Sequence, residues 1–190
     1  NDGIFDWDLR TGSLYLSPKW KKMIGYADDD LPNAFQTFED NIHPEDKSRV
    51  ADYLDEYLKG KIQSYAIEFR FRHRDGHYIW ILARGEALRD DKGVPYRMAG
   101  SHSDITERKE AEEKIRESEA RINTVLNAAQ DAIIMMDGAG NISVWNAAAE
   151  KMFGYTPTET LGKNLHRLLA PPEYHDAHMQ AFPIFQKTGE

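Results

Sequence analysis

One stretch of this chain occurs twice. Residues 2–26, DGIFDWDLRTGSLYLSPKWKKMIGY, align without a gap on residues 131–155, DAIIMMDGAGNISVWNAAAEKMFGY. Asp2, Ile4, Asp8, Lys22, Met23, Gly25 and Tyr26 meet Asp131, Ile133, Asp137, Lys151, Met152, Gly154 and Tyr155. The matches cluster in one helix-like segment and its glycine stop, which marks an internal duplication. A length of 190 residues allows one large domain or two small ones, and the repeat points to two of one kind. The second copy reaches Glu190 where the first would only be starting its last strands, so the expectation is one complete domain and the first part of another.

Patterning gives the first copy its elements. GIFDWDL alternates, meets the turn signal Thr11-Gly12, and resumes as SLYLS. Pro18 suits a first helical turn, and PKWKKMIGY stops at Gly25. Short helical turns at DDDL and TFEDNI precede a longer helix that starts at His43-Pro44. That helix carries Val50, Tyr53, Leu54, Tyr57 and Leu58 on one face and ends near Gly60. Tyr65, Ile67, Phe69 and Phe71 then alternate with Glu68, Arg70 and Arg72 as a half-buried strand. Asp75-Gly76 signals a hairpin, and two further strands complete a meander. Two strands, a helical middle and three strands make an antiparallel α+β domain.

At SDIT the alternation stops and a charged run, ERKEAEEKIRESEARI, takes over. Ala111, Ile115, Ser118, Ile122, Val125 and Ala129 are spaced by four and three residues in turn, a heptad seam. Glu110 with Lys114, Glu112 with Arg116, and Glu117 with Arg121 are i,i+4 pairs worth about 0.2–0.5 kcal/mol each. Asp104 stands three residues before Glu107, close to a capping box, at a helix start that favours a carboxylate. A helix over residues 105–130 would be about 39 Å long. Isoleucine at alternate core positions suits a parallel two-stranded pairing. Ser118 and the alanines keep the seam weak enough to shift register. The plainer alternative is an exposed connecting helix without a partner.

Bulk chemistry excludes several classes. The net charge of -8 gives nucleic-acid binding no support, and no apolar run approaches the roughly 18 residues of a membrane span. The absence of cysteine excludes disulfides and thiol chemistry and fits a reducing, cytoplasmic compartment. No Walker loop, GxSxG elbow or HExxH motif occurs, so no catalytic residue is assigned. His73 and His77 straddle the Asp75-Gly76 turn and read as exposed hairpin histidines, so no metal is assigned either.

The first half, through its opening, IHPEDKSRV, EFRFRHRDGHYIWILARGEALRDDKG and GSHSDITERK, resembles a PAS domain, and VLNAAQDAIIMMDGAGNISVWNAAAEKMFGYTPTETLGKN resembles the start of another. The resemblance implies a five-stranded antiparallel sheet with helices over one face and a cavity between them. It implies a complete domain over residues 1–104, a linker helix over 105–130 and a truncated PAS domain over 131–190. It further implies a sensory role, with Asp104, Ile105 and Thr106 passing a signal into a dimeric helix. The output would be a histidine kinase or cyclic-di-GMP enzyme outside this chain. A protein-interaction scaffold without a small-molecule ligand is the alternative.

Cofactors stay open. The flavin photosensors of this family need an adduct-forming cysteine, which is missing, although non-covalent flavin is compatible with the fold. LAPPEYHDAHMQAFPIF resembles the helix that carries the proximal histidine of haem-binding relatives, with His178 seven residues after Pro171. His175 offers a competing register, and Pro183 should disturb the helix. In the first domain Phe5, Trp7, Tyr15, Phe69, Phe71 and Trp80 supply much aromatic volume, and with most of them pointing inward they fill the cavity. The set Ile133, Ile134, Met135 and Met136 should leave more room in the second domain than Phe5 and Trp7 leave in the first. The expectation is that no cofactor is bound within these residues.

Overall fold

A computed structural model describes residues 2–188. It forms two compact units that divide between Glu113 and Lys114. In the first unit, β1 (Gly3–Asp8) and β2 (Leu14–Leu16) precede α1 (Pro18–Met23), a 3-10 turn at Asp28–Asp30, α2 (Phe35–Asn41) and α3 (Pro44–Leu58). Then come β3 (Tyr65–Arg72), β4 (Tyr78–Arg89) and β5 (Pro95–Asp104). The sheet order is β2-β1-β5-β4-β3, and every neighbouring pair is antiparallel. The last strand therefore lies between the first strand and β4, at the centre of the sheet.

Local chemistry accounts for these elements. Ser17 Oγ accepts from Trp20 N at 3.2 Å to cap α1, Pro18 occupies its first turn, and Gly25 follows at φ +84. His43 Nδ1 accepts from Glu45 N at 3.2 Å to cap α3. Asp46, in the first turn of α3, reaches across to β3. Its Oδ2 accepts from both the backbone N and the Nε of Arg70 at 2.9 Å. Trp20, Phe69, Phe71 and Ile81 are wholly buried between helices and sheet. Each large apolar side chain so buried contributes about 1.5–3 kcal/mol. Gly85 and Gly100 are partners across β4 and β5, and a Cβ at Gly100 would fall 2.7 Å from Phe5 Cζ. The glycine pair makes room for the Phe5 ring.

Of the six aromatics, most of which were expected to point inward, Phe5, Trp7, Phe69 and Phe71 do and two do not. Tyr15 is exposed, and Trp80 lies on the opposite face of the sheet, between buried Ile79 and Ile81. Both sit at the outward positions of their strands, so the period of two decides their side.

α4 (Thr106–Ala128) leads out of β5. It stops two residues short of the expected end, leaving Ala129 outside the helix. The Leu126 carbonyl there accepts from Asn146 Nδ2 at 2.9 Å. Beyond it lie β6 (Ile134–Met136), β7 (Ile142–Trp145), α5 (Ala147–Phe153), α6 (Pro157–Thr160), α7 (Leu165–Leu169) and α8 (His175–Thr188). Ile142, Trp145 and Ala149 form a small core. α8 runs through Pro183, so the expected disturbance does not end the helix. A proline removes one hydrogen bond of a helix, and the remaining turns carry it past. Met135 and Met136 are exposed.

The duplication recurs in hydrogen bonds. Ile4 N donates to Ser17 Oγ at 2.9 Å, and Ser17 N donates back to the Ile4 carbonyl. At the matching positions, Ile133 N donates to Asn146 Oδ1 at 2.9 Å, and Asn146 N donates to the Ile133 carbonyl. Gly154 repeats the left-handed stop at φ +80.

Candidate functional site

The passage from β5 to α4 is the most heavily bonded junction on the path out of the first domain. Asp104 Oδ1 accepts from Thr106 N at 2.9 Å and from Thr106 Oγ1 at 2.6 Å. Thr106 Oγ1 in turn accepts from Trp80 N at 2.9 Å, and Ile105 N donates to the Trp80 carbonyl at 2.9 Å. Both backbone groups of Trp80 are thus committed to the start of the helix. Asp104 serves Thr106, two residues on, in place of the expected box with Glu107. The threonine hydroxyl competes for its carboxylate and extends the contact to β4.

A second tie comes from charge. Glu68, on β3, receives Arg108 Nη2 and Lys109 Nζ, each at 2.6 Å. These hydrogen bonds, Lys109's first, hold its carboxyl below the usual range. Lys109 Nζ also lies 5.3 Å from the centre of the Trp80 ring. Two cations in the first turn oppose the helix dipole, and Glu68 compensates them. Further along, Ile115, Ile122 and Val125 are 61%, 55% and 65% exposed, and no described residue of α4 is buried. Ala111 and Ser118 are exposed as well, while Ala129 is partly covered.

Inside the first domain, a cavity of about 30 Å³ is lined by residues including Phe5, Trp7, Phe38, Met98 and His102. It is far below the roughly 300–1,000 Å³ of a small-molecule site. Trp7 stacks on Phe35 with ring centres 4.7 Å apart, and its buried Nε1 has no partner among the described residues. His102 Nδ1 accepts from Trp20 Nε1 at 2.8 Å. Full burial pushes this histidine down to about 3, so it is neutral, with its proton on Nε2. The reading of the sequence did not single out His102. The signal was present: it falls in step with Met98 on the inward face of β5.

In the second domain, His178 lies on α8 between two rings. His166 stacks on it at 3.7 Å and 9°, and Phe182 at 5.0 Å and 22°. Its Nδ1 is buried without a partner among the described residues, and burial lowers its pKa, as do His166 and His175. It lines a cavity of about 120 Å³ with Met136, Gly140, Leu165 and His166. His175 is engaged elsewhere, its Nε2 lying 2.9 Å from the Ala170 carbonyl.

A five-stranded antiparallel sheet of order 2-1-5-4-3, helices on one face, and a recurring opening hairpin define the PAS fold. That family matches residues 13–102 and again residues 120–188, and the chain belongs to it. Among solved structures, a sensory box histidine kinase/response regulator from Burkholderia thailandensis E264 is 40% identical, with a TM-score of 0.57, over 65% of this chain and 91% of that one. The sensor protein FixL of Bradyrhizobium diazoefficiens is 29% identical over 182 residues, which cover 95% of this chain and 36% of that protein. The probable diguanylate cyclase DgcE of Escherichia coli K12 is 30% identical over 166 residues, covering 87% of this chain and 14% of that protein. The chain thus spans a minor part of FixL and of DgcE. Among the described residues, no helix is long and apolar enough to cross a membrane.

Proposed function

We propose that this chain is the sensory, dimerising region of a larger cytoplasmic signalling protein, and that it relays a stimulus through α4. The observation that carries the reading is the bonding of both Trp80 backbone groups to the first residues of the helix. Any displacement of β4 within the sheet must move the helix start with it. The relay comprises residues 105–130, between a sensory domain over 1–104 and a second over 131–190. The kinship with sensor kinases and a cyclase supports an output domain of one of those kinds in the same polypeptide, where the catalysis resides. The exposed stripe of Ile115, Ile122 and Val125 supports a parallel pairing with a second copy. In the full-length protein, Thr106→Val removes the hydroxyl that joins Trp80 to Asp104. Basal output should persist and its response to stimulus should fall. A response equal to that of the wild type would refute the relay.

The cavity of about 30 Å³ favours a second reading for the first domain, in which a protein partner rather than a small ligand acts on it. Native mass spectrometry of the purified protein should then show no small molecule retained by that domain. A retained ligand would restore the chemical-sensor reading.

The unpartnered Nδ1 supports a role for His178 as a haem ligand. Against it, both faces of the imidazole are covered, and the adjoining cavity of about 120 Å³ is too small for a macrocycle. The described residues do not fit the group as they stand. A Soret band in the full-length protein that His178→Ala abolishes would establish the role, and its absence from the wild type would end it.

A further inference from the structure

The hairpin between β3 and β4 closes with a backbone bond from His73 N to the His77 carbonyl, at 2.8 Å. This makes the two histidines partners directly across the pair, in register with Arg72 and Tyr78. Directly opposed residues present their side chains to one face, with Cβ atoms about 4.5–5.5 Å apart. The rings stack at 4.6 Å and 25°. Asp75, at the tip, folds back between them. His73 Nδ1 lies 2.9 Å from Asp75 Oδ1, and His77 Nδ1 contacts the same oxygen. One ligand atom from each of the three residues falls within 4.8 Å of the others.

We infer that His73, Asp75 and His77 form a binding site for a divalent transition-metal ion such as Zn²⁺ or Ni²⁺. Two imidazole nitrogens and one carboxylate oxygen are the donor set these ions take, with the remaining positions open to water. The three side chains already converge, so an ion would replace the hydrogen bonds that now join them. One member is fixed from outside the hairpin. A Cβ at Gly25 would fall 2.5 Å from His73 Nε2, so the end of α1 bears on the far edge of the ring and leaves Nδ1 turned toward Asp75. The neighbouring Arg74 is engaged elsewhere: its guanidinium pairs with Asp30 at 3.0 Å and lies over the Tyr26 ring.

The test is calorimetric titration of the tag-free chain with ZnCl₂ and with NiCl₂ near neutral pH. The expected result is one ion per chain at this site, bound about tenfold or more weakly after His77→Ala and after Asp75→Asn separately. His178→Ala should leave that binding unchanged, which separates the hairpin from the histidines of the second domain. His77 and Asp75 are exposed, and thermal melting of the variants without metal checks that they fold. Saturating Zn²⁺ should raise the melting temperature of the wild type more than that of either variant. No binding by the wild type, or binding equally tight in both hairpin variants, would overturn the inference.

Discussion

His102 gives the first domain a measurable dependence on pH. Its imidazole titrates near 6.5 in an unfolded chain and is pushed down to about 3 by burial. Between those values the unfolded chain binds the extra proton. Stability is therefore complete above about 6.5 and falls as the pH drops toward 3, by about 1.4 kcal/mol per pH unit. Urea unfolding from pH 7 to 4.5 should show this slope, and His102→Gln, which keeps an acceptor for Trp20 Nε1, should flatten it. Asp46 acts further down. Burial would raise its carboxyl, but the Arg70 hydrogen bonds prevail and lower it to about 2, so its contribution is lost only below about 3.8. Asp46→Ala would strand the Arg70 backbone N and Nε donors and should cost about 1–3 kcal/mol. Residues such as His102 and Asp46 are hard to read from sequence. Alternation shows which way a side chain faces but not which distant group it meets, and the partner of Trp20 stands 82 positions away.

At the scale of elements, the pattern was legible where periodicity and capping agreed. β3, α1 and α3 lie where alternation, proline and glycine place them. α4 was legible in its existence and face, less so in its ends. Its start depends on a threonine bonded to another strand, and its end on an asparagine 20 residues away. Asp104→Ala removes two hydrogen bonds at the start and should cost roughly 0.5–2 kcal/mol, read as a lower melting temperature. The seam makes a separate prediction. Ile115→Lys with Ile122→Lys sets like charges at core positions, and light scattering should shift toward monomer. A wild-type chain already monomeric at high concentration would remove the dimer from the account.

For the molecule as a whole, the repeat was the strongest signal in the sequence because it compares the chain with itself and needs no packing. It could not reveal one contact that the second copy adds, because that contact rests on a single side chain. Where the first domain has Ser17, the second has Asn146. The asparagine keeps the capping oxygen and adds an amide that donates to the carbonyls of Leu126 and Asp131 at 2.9 and 3.0 Å. Asn146→Ser should preserve the α5 cap but release both carbonyls. Amide exchange in the last turn of α4 should then quicken while the rest of the second domain stays protected.

That amide also changes what α4 is mechanically. With Trp80 gripping its first turn and Asn146 its last, the helix is a shaft held in two bearings. A rod fixed at one end only spins or frays when twisted. A rod fixed at both can carry torque, and the relay proposed above predicts that losing either the Thr106 hydroxyl or the Asn146 carboxamide lets the twist slip.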